Sequence, residues 1–338
     1  MLANTAALRA EYRNVWVLAE VLNGEVQKVT WELLGAARDL ADARACELWC
    51  ILLGDGVSRA AQQVHSYGAD LALIVDDPRL ARFDDEAEAA VLIRLVERYR
   101  PEILLAGATT RGRALVPRVA VKAECGLTAD CTGLAIDPAT GDLLQTRPAF
   151  GGNIMATIRC SQHRPQMATV RPRVMAARDY DPSRRGKILA ESLLPGEAGS
   201  FKTVLEVFHD ADNAVNLSEA RFIVSGGRGL KDAEGFSLLK RLADALGGAV
   251  GASRAAVDSG WIPYSHQVGQ TGQTVQAQVY IACGISGQIQ HLVGMQSCDY
   301  IVAIDKNPET PLMKLADLAV VGDLYEIVPA MIRALAKT

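Results

Sequence analysis

Four loops between Arg221 and His291 carry the residue types that hold phosphates and heterocycles. They are Ser225-Gly-Gly-Arg228-Gly, Gly251-Ala-Ser253-Arg254, Gln267-Val-Gly269-Gln270-Thr271-Gly272 and Gly284-Ile-Ser286-Gly287. Glycine lets a backbone approach a ligand closely or take positive φ. The N–H groups it exposes at strand-to-helix turns suit phosphate oxygens. Gly284, Ser286 and Gly287 precede an expected helix holding Gln290 and His291, and offer N–H groups to a pyrophosphate. Gln267, Gln270 and Thr271 supply two amides and a hydroxyl that can both donate to and accept from a heterocycle's polar edge. Arg228 and Arg254 add cations. Together they point to one large ligand bearing phosphates. Taken singly, each also reads as an ordinary glycine turn, and a lone histidine on a helix as a satisfied surface or core residue. Neither G-x-G-x-x-G nor a phosphate-loop lysine motif is present. No second His, Cys or carboxylate stands at metal-ligand spacing beside His291, so no metal ligand is assigned. Without a G-x-S-x-G elbow or paired acid/base carboxylates, no catalytic residue is assigned either.

The elements that must position these loops alternate apolar strands with amphipathic helices. Strands are expected at Asn14–Glu20, Leu48–Leu53, Leu71–Asp77 and Ile103–Gly107. Helices are expected at Val26–Arg44, Ser58–Tyr67, Asp84–Tyr99 and Arg111–Lys122. That alternation is the sequence form of a parallel α/β sheet covered on both faces. After Cys131 the pattern changes. Asp142–Pro148, Asn153–Cys160 and Gln166–Arg171 read as strands joined by PAT-GD, FGGN and QHRP turns, a β-meander appended to the α/β domain. Residues 176–203 lose periodicity and read as an interdomain connection, giving domains at 1–200 and 204–338. In the second, strands at Arg221–Val224, Tyr280–Cys283, Tyr300–Ile304 and Leu318–Val321 alternate with helices at Ala233–Leu246, Asn307–Ala316 and Leu324–Ala336, a Rossmann-like arrangement.

With 338 residues, 49% hydrophobic and 22% charged, the composition is that of a globular protein of about two domains. A net charge of −4 and 5% aromatic content argue against a nucleic-acid partner. Residues 101–190 nonetheless hold thirteen Lys/Arg against seven Asp/Glu. This basic stretch reads either as a docking face for an acidic partner or as a solvated surface. No signal-peptide core or membrane-spanning run occurs, so a cytoplasmic location without membrane insertion is expected. The seven scattered cysteines form no C-x-x-C pair and read as free thiols.

The runs SGGRGL, GASRAAVDSGW, QVGQTG, YIACGISGQIQHLVGM and AIDKNPETPLMKLADLAVVGDLYEIVP strongly resemble the FAD-binding domain of electron-transfer flavoprotein alpha subunits. GATTRGRALVPRVA, GLTADCTGL, TRPAFGGNIMATI and RPQMATVRP resemble the first domain of the same family, so the likeness spans nearly the whole chain. It implies an FAD-carrying subunit of a heterodimer whose beta subunit holds AMP or a second FAD, with an acyl-CoA dehydrogenase-type flavoenzyme as partner. Such a subunit shuttles electrons and turns over no substrate of its own. By resemblance Arg228 and Arg254 lie near the isoalloxazine, Ser253 bonds the cofactor, and Thr271 approaches N5. Gln267, Gly269 and Gln270 line the same site, and His291, one residue after Gln290, faces the N1/C2=O edge. Gly284, Ser286 and Gly287 take the phosphates, and Asp323 the adenosine part. Asp305-Lys306-Asn307 departs from the family's usual Asn-Lys-Asp, which puts the Asp305 contact in doubt.

An electron carrier needs the charge of its reduced flavin stabilised. A cation about 4 Å away gains roughly 4 kcal/mol at an effective dielectric of ~20, or up to ~170 mV for one electron. Arg254 or a protonated His291 fits that role. The TADCT and RPAFGGNIMA segments resemble the electron-bifurcating or anaerobic branch, in which the partner subunit takes hydride from NADH. An ordinary respiratory carrier is the alternative. Two readings from other classes stand beside these: an NAD-dependent enzyme, for which only Lys231 and Lys306 are nearby lysines, and a nucleotide-sensing module.

Overall fold

The chain divides into two compact units, Met1–Thr203 and Val204–Thr338. A computed structural model describes residues 11–22, 24–149, 154–202, 217 and 220–336. The stretch before residue 11, the FGGN turn at 150–153 and the start of the second domain at Val204 lie outside the described residues.

Among its described residues the first unit has β1 (Arg13–Leu18), a small hairpin of β2 (Val21–Leu22) and β3 (Glu25–Val26), and α1 (Lys28–Ala43). There follow β4 (Leu48–Gly54), α2 (Ala61–Ser66), β5 (Leu71–Asp76), α3 (Asp85–Tyr99), β6 (Pro101–Gly107) and α4 (Thr110–Lys122). Then come β7 (Leu127–Cys131), β8 (Gly133–Ile136), β9 (Leu143–Ala149), β10 (Ile154–Arg159), β11 (Gln166–Val170) and β12 (Lys187–Ala190). Seven strands form one parallel sheet in the order β12-β5-β4-β1-β6-β11-β7. Its two faces bury separate apolar clusters, one around Val15, Leu33, Cys50 and Ile103, the other around Trp16, Leu73, Leu92 and Leu104. Alternate residues of one strand serve opposite clusters, as a sheet covered on both faces requires.

The helix boundaries follow from caps. The Asp84 carboxylate accepts from Glu86 N and Ala87 N and starts α3, and Thr109 Oγ1 accepts from Gly112 N and starts α4. Two expectations are corrected. Gln166–Val170 leaves the meander and enters the parallel sheet between β6 and β7. All five of its residues are buried, as a central parallel strand demands and a half-exposed meander strand does not. Thr128 and Asp130, in the GLTADCTGL run, belong to strand β7, and the antiparallel meander is β10-β9-β8. Within the expected connection, Lys187–Ala190 pairs with Leu71–Ile74 as an exposed edge strand. The basic stretch at 101–190 is largely consumed internally. Arg111, Arg113, Arg118, Arg159, Arg164, Arg171, Arg178, Arg184 and Lys187 all meet carboxylates of this unit.

The second unit runs β13 (Phe222–Gly226), α5 (Glu234–Leu246), β14 (Ala249–Ala252), α6 (Arg254–Asp258), β15 (Val279–Cys283) and α7 (Ile289–Met295). It closes with β16 (Tyr300–Asp305), α8 (Pro311–Leu315), β17 (Leu318–Val321) and α9 (Leu324–Leu335). The helix expected over Asn307–Ala316 is confined to α8, because the Asn307 side chain turns the backbone at Glu309 and Thr310 caps the helix. Five strands form a parallel sheet in the order β14-β13-β15-β16-β17. Val224, Leu239, Ile281 and Val328 pack on one face, and Ile223, Ala282, Leu292 and Leu312 on the other. In this order the chain reverses direction across the sheet between β13 and β15. Open α/β sheets bind ligands in the crevice outside the carboxyl ends of strands at such a point. Among the described residues no helix is long and apolar enough to cross a membrane.

Candidate functional site

Every strand of the second unit's sheet delivers a candidate residue at its carboxyl end. β13 leads into Gly227 and Arg228, β14 into Ser253 and Arg254, and β15 into Gly284, Ser286 and Gly287. β16 ends on Asp305, and β17 stops two residues before Asp323. Parallel strands put these ends on one edge, so residues nearly a hundred positions apart share a rim.

Backbone hydrogen bonds lock the loops together. Ser253 N donates to Gly226 O at 2.9 Å, Gly229 N to Gly284 O at 3.0 Å, Gly284 N to Ile304 O at 2.9 Å and Gly322 N to Asp305 O at 3.1 Å. A Cβ on Gly227 or Gly229 would run into the Gly284 backbone, so the β13 and β15 loops can touch only as glycines. The Gln267–Gly272 loop joins the same edge. Val268 N donates to Ala252 O at 2.9 Å, and Gln270 N to Gln290 O at 2.7 Å. Gln267 is buried and its Nε2 donates to Thr271 Oγ1 at 3.1 Å, while Gln270, Thr271, Ser286 and Gln290 are exposed. Gly269, at φ 143°, lies against the Gln290 carbonyl and the His291 backbone.

This rim holds unused donors. No acceptor among the described residues serves the backbone N–H groups of Ile285, Ser286, Gly287 and Gln288. The exposed Arg228 has no ion-pair partner among the described residues. Ser253 sits at the N-cap position of α6 without a side-chain capping bond, which leaves its hydroxyl available. Arg254 is exposed and its Nε meets Asp258 Oδ2 at 3.2 Å. Consecutive free N–H groups with an unpaired arginine suit phosphate oxygens. Asp305 and Asp323, acceptors when ionised, suit hydroxyls of a sugar. Both carboxylates already have internal bonds. Asp305 Oδ1 accepts from Asn307 N at 2.8 Å, and Asp323 caps α9 while meeting Lys306 Nζ at 2.8 Å. The Lys306 ammonium, then the Tyr325 N–H, hold the Asp323 carboxyl below its usual range.

His291 stands apart from the exposed set. It is buried, and its Nε2 lies 3.0 Å from the Tyr280 hydroxyl. Burial pushes its pKa down to about 4, so the ring is neutral near neutral pH. Of the two cations offered from sequence, desolvation disfavours a protonated His291, and Arg254 is left with Arg228 as the cations of the rim. One residue in contact with the site escaped the sequence reading: Tyr280 looked like an apolar strand residue. Ser225 and Lys306 stood in the quoted motifs without an assigned contact. The one available signal was a phenol inside the otherwise apolar VYIAC run. Among the described residues no three His, Cys, Asp or Glu side chains gather where they could hold a metal.

Comparison with known proteins agrees with this division. The family described as electron transfer flavoprotein domain matches residues 15–194, and that described as electron transfer flavoprotein FAD-binding domain matches residues 216–296. An electron transfer flavoprotein subunit alpha of Thermoanaerobacterium thermosaccharolyticum is 49% identical, over 97% of this chain and 99% of its own length. Another, from Clostridium acetobutylicum, is 48% identical over 96% and 97%. An acryloyl-CoA reductase electron transfer subunit beta of Anaerotignum propionicum is 41% identical over 99% and 98%.

Proposed function

The chain belongs to the electron transfer flavoprotein alpha-subunit family, and from that premise we propose that it carries FAD on the carboxyl rim of its second unit, paired with a beta subunit. The observation that supports this most is the row of unpaired N–H groups at Ile285–Gln288 beside the unpaired Arg228 at the sheet's reversal point. Ile285 to Gln288 and Ser286 would hold the pyrophosphate. Arg228, Ser253, Arg254, Gln267, Gln270 and Thr271 would surround the isoalloxazine, with His291 behind it. Asp305 and Asp323 would take the adenosine end. FAD supplies the redox chemistry when bound. The chain's part is to bind it, orient it, exclude water and set the charge around it.

The proposed electron partner is an acyl-CoA dehydrogenase-type flavoenzyme. The similarity to an acryloyl-CoA reductase electron transfer subunit supports this class. The resemblance of the TADCT and RPAFGGNIMA segments favours a bifurcating complex, in which the beta subunit carries a second FAD, over a respiratory carrier whose beta subunit carries AMP. Purification of the chain with its beta subunit, followed by flavin spectroscopy and nucleotide analysis of the denatured complex, tests both layers. Two FAD per heterodimer supports bifurcation. One FAD with AMP excludes it, and a colourless complex that binds no added FAD overturns the whole reading.

A further inference from the structure

We infer that Tyr264 is a positioning residue for Thr271: its phenol donates to the Thr271 carbonyl and fixes a peptide whose N–H is left free for a ligand. The tip of the Gln267–Gly272 loop is a β-turn. Gly272 N donates to Gly269 O at 3.1 Å, with Gln270 and Thr271 at the corners. The N–H of the second corner residue has no partner inside such a turn. Thr271 is exposed, and no acceptor among the described residues serves its N–H. It is a further unused donor on the rim that carries those of Ile285–Gln288.

The support for this donor comes from outside the loop, in the single 3-10 turn Tyr264–His266. Two bonds join that turn to the loop. The Tyr264 hydroxyl donates to Thr271 O, and Gln273 Nε2 donates to Ser265 O at 2.6 Å. A third ties the turn to the sheet, where His266 Nδ1 donates to Val250 O, on β14, at 2.6 Å. Every acceptor here is a carbonyl oxygen, which cannot donate, so the direction of all three bonds is fixed. His266 is buried, whereas Tyr264 is 64% exposed. With most of its ring in water, Tyr264 adds little packing, and its hydroxyl bond is its contribution. A strut thus runs from β14 through His266 and Tyr264 to the Thr271 peptide. Gly269 and Gly272, on either side of the turn's corners, make that peptide free to move once the phenol lets go. The functional meaning rests on the flavin reading. There a donor held fixed beside the heterocycle favours the electron-richer form of the cofactor.

The test is amide hydrogen exchange of the full, cofactor-free chain in wild type, Tyr264→Phe and Tyr264→Ala. The expected result is exchange about fivefold faster at Gly269, Gly272 and Gln273 in both variants, with β13 and β15 unchanged. Phenylalanine keeps the ring and loses only the hydroxyl. Wild-type protection in Tyr264→Phe therefore assigns the effect to ring packing and overturns the proposal. The second readout is the reduction potential of the FAD-saturated complex with the beta subunit, which Tyr264→Phe shifts negative. Altered exchange with an unmoved potential reduces Tyr264 to a brace of the loop and overturns its positioning role. FAD titration of wild type, read by flavin fluorescence, tests the flavin reading separately. A chain that binds no FAD refutes that reading and leaves the exchange result to decide the strut.

Discussion

Gly294, in the last turn of α7, faces the backbone of Gly269 so closely that a Cβ on Gly294 would sit inside van der Waals contact of the Gly269 Cα and N. The contact seats the Gln267–Gly272 loop on the helix that bears Gln290 and His291. It yields a prediction in which two effects of opposite sign compete. In an exposed helix, Gly→Ala gains about 1 kcal/mol of helix propensity. Here the new methyl meets backbone that cannot turn away, and overpacking of this kind costs roughly 1–3 kcal/mol. Gly294→Ala is therefore expected to lower the melting temperature by a few degrees and to weaken FAD binding at least tenfold, measured by thermal denaturation and flavin fluorescence. A variant more stable than wild type would mean that the helix and loop are not in contact.

At the other end of the rim, Asp323 has two jobs that a conservative substitution separates. Its Oδ1 accepts from Tyr325 N and its Oδ2 meets Lys306 Nζ. Asn caps helices as well as Asp does, and an exposed ion pair contributes only about 0–1 kcal/mol. Asp323→Asn should therefore leave the melting temperature within a few degrees. Its FAD dissociation constant should rise several-fold, because an acceptor-only group is lost from the adenosine end. Unchanged affinity, measured by titration of the cofactor-free chain, would reduce Asp323 to a helix cap.

How far these features could be read from sequence depended on how local their causes were. Apolar runs such as Leu48–Leu53 and Ile103–Gly107 announced buried parallel strands, and Asp84 and the glycine loops announced their turns. β14 escaped because Ala249-Val-Gly-Ala252 offers three small residues and no apolar run, although Ser253 and Arg254 depend on it. β12 escaped because an exposed edge strand has neither alternation nor a continuous apolar stretch. Gln166–Val170 was recognised as a strand but assigned to the wrong sheet, since partner choice is set by distant residues. His291 stood in the expected helix, yet its burial, its neutral state and its bond to Tyr280 come from packing against β15, which no local spacing encodes.

Arg254 is the cation whose electrostatic effect is easiest to isolate. It lies in solvent and pairs with Asp258 four residues on. Screening and that pairing reduce the full effect of a nearby charge to an expected ~30–60 mV, about 0.7–1.4 kcal/mol for one electron. Spectroelectrochemical titration of the reconstituted complex should show Arg254→Ala shifted negative by this amount. Asp258→Asn, which releases the guanidinium, should shift positive by a smaller amount. Identical potentials in all three proteins would remove Arg254 from the flavin's surroundings.

Acid stability joins two buried groups whose contributions oppose each other. His291 has its pKa pushed by burial from about 6.5 down to about 4. Its folded form resists protonation, so its contribution is complete above pH 6.5 and is lost, to about 3 kcal/mol, as the pH falls to 4. Glu88, on α3 of the first unit, has its Oε1 2.8 Å from Arg111 Nη2, yet burial outweighs that attraction and pushes it up to about 7. A carboxyl that holds its proton more tightly when folded contributes fully below pH 4.5 and loses that contribution as the pH rises through 7. Between pH 4.5 and 6.5 the two trends run against each other. In that window Glu88→Gln should lose stability on acidification faster than wild type, and His291→Gln more slowly, as read from urea midpoints at fixed temperature. Curves that stay parallel to wild type would mean that Glu88 is ionised in its ion pair throughout and that His291 is wetter than its packing implies.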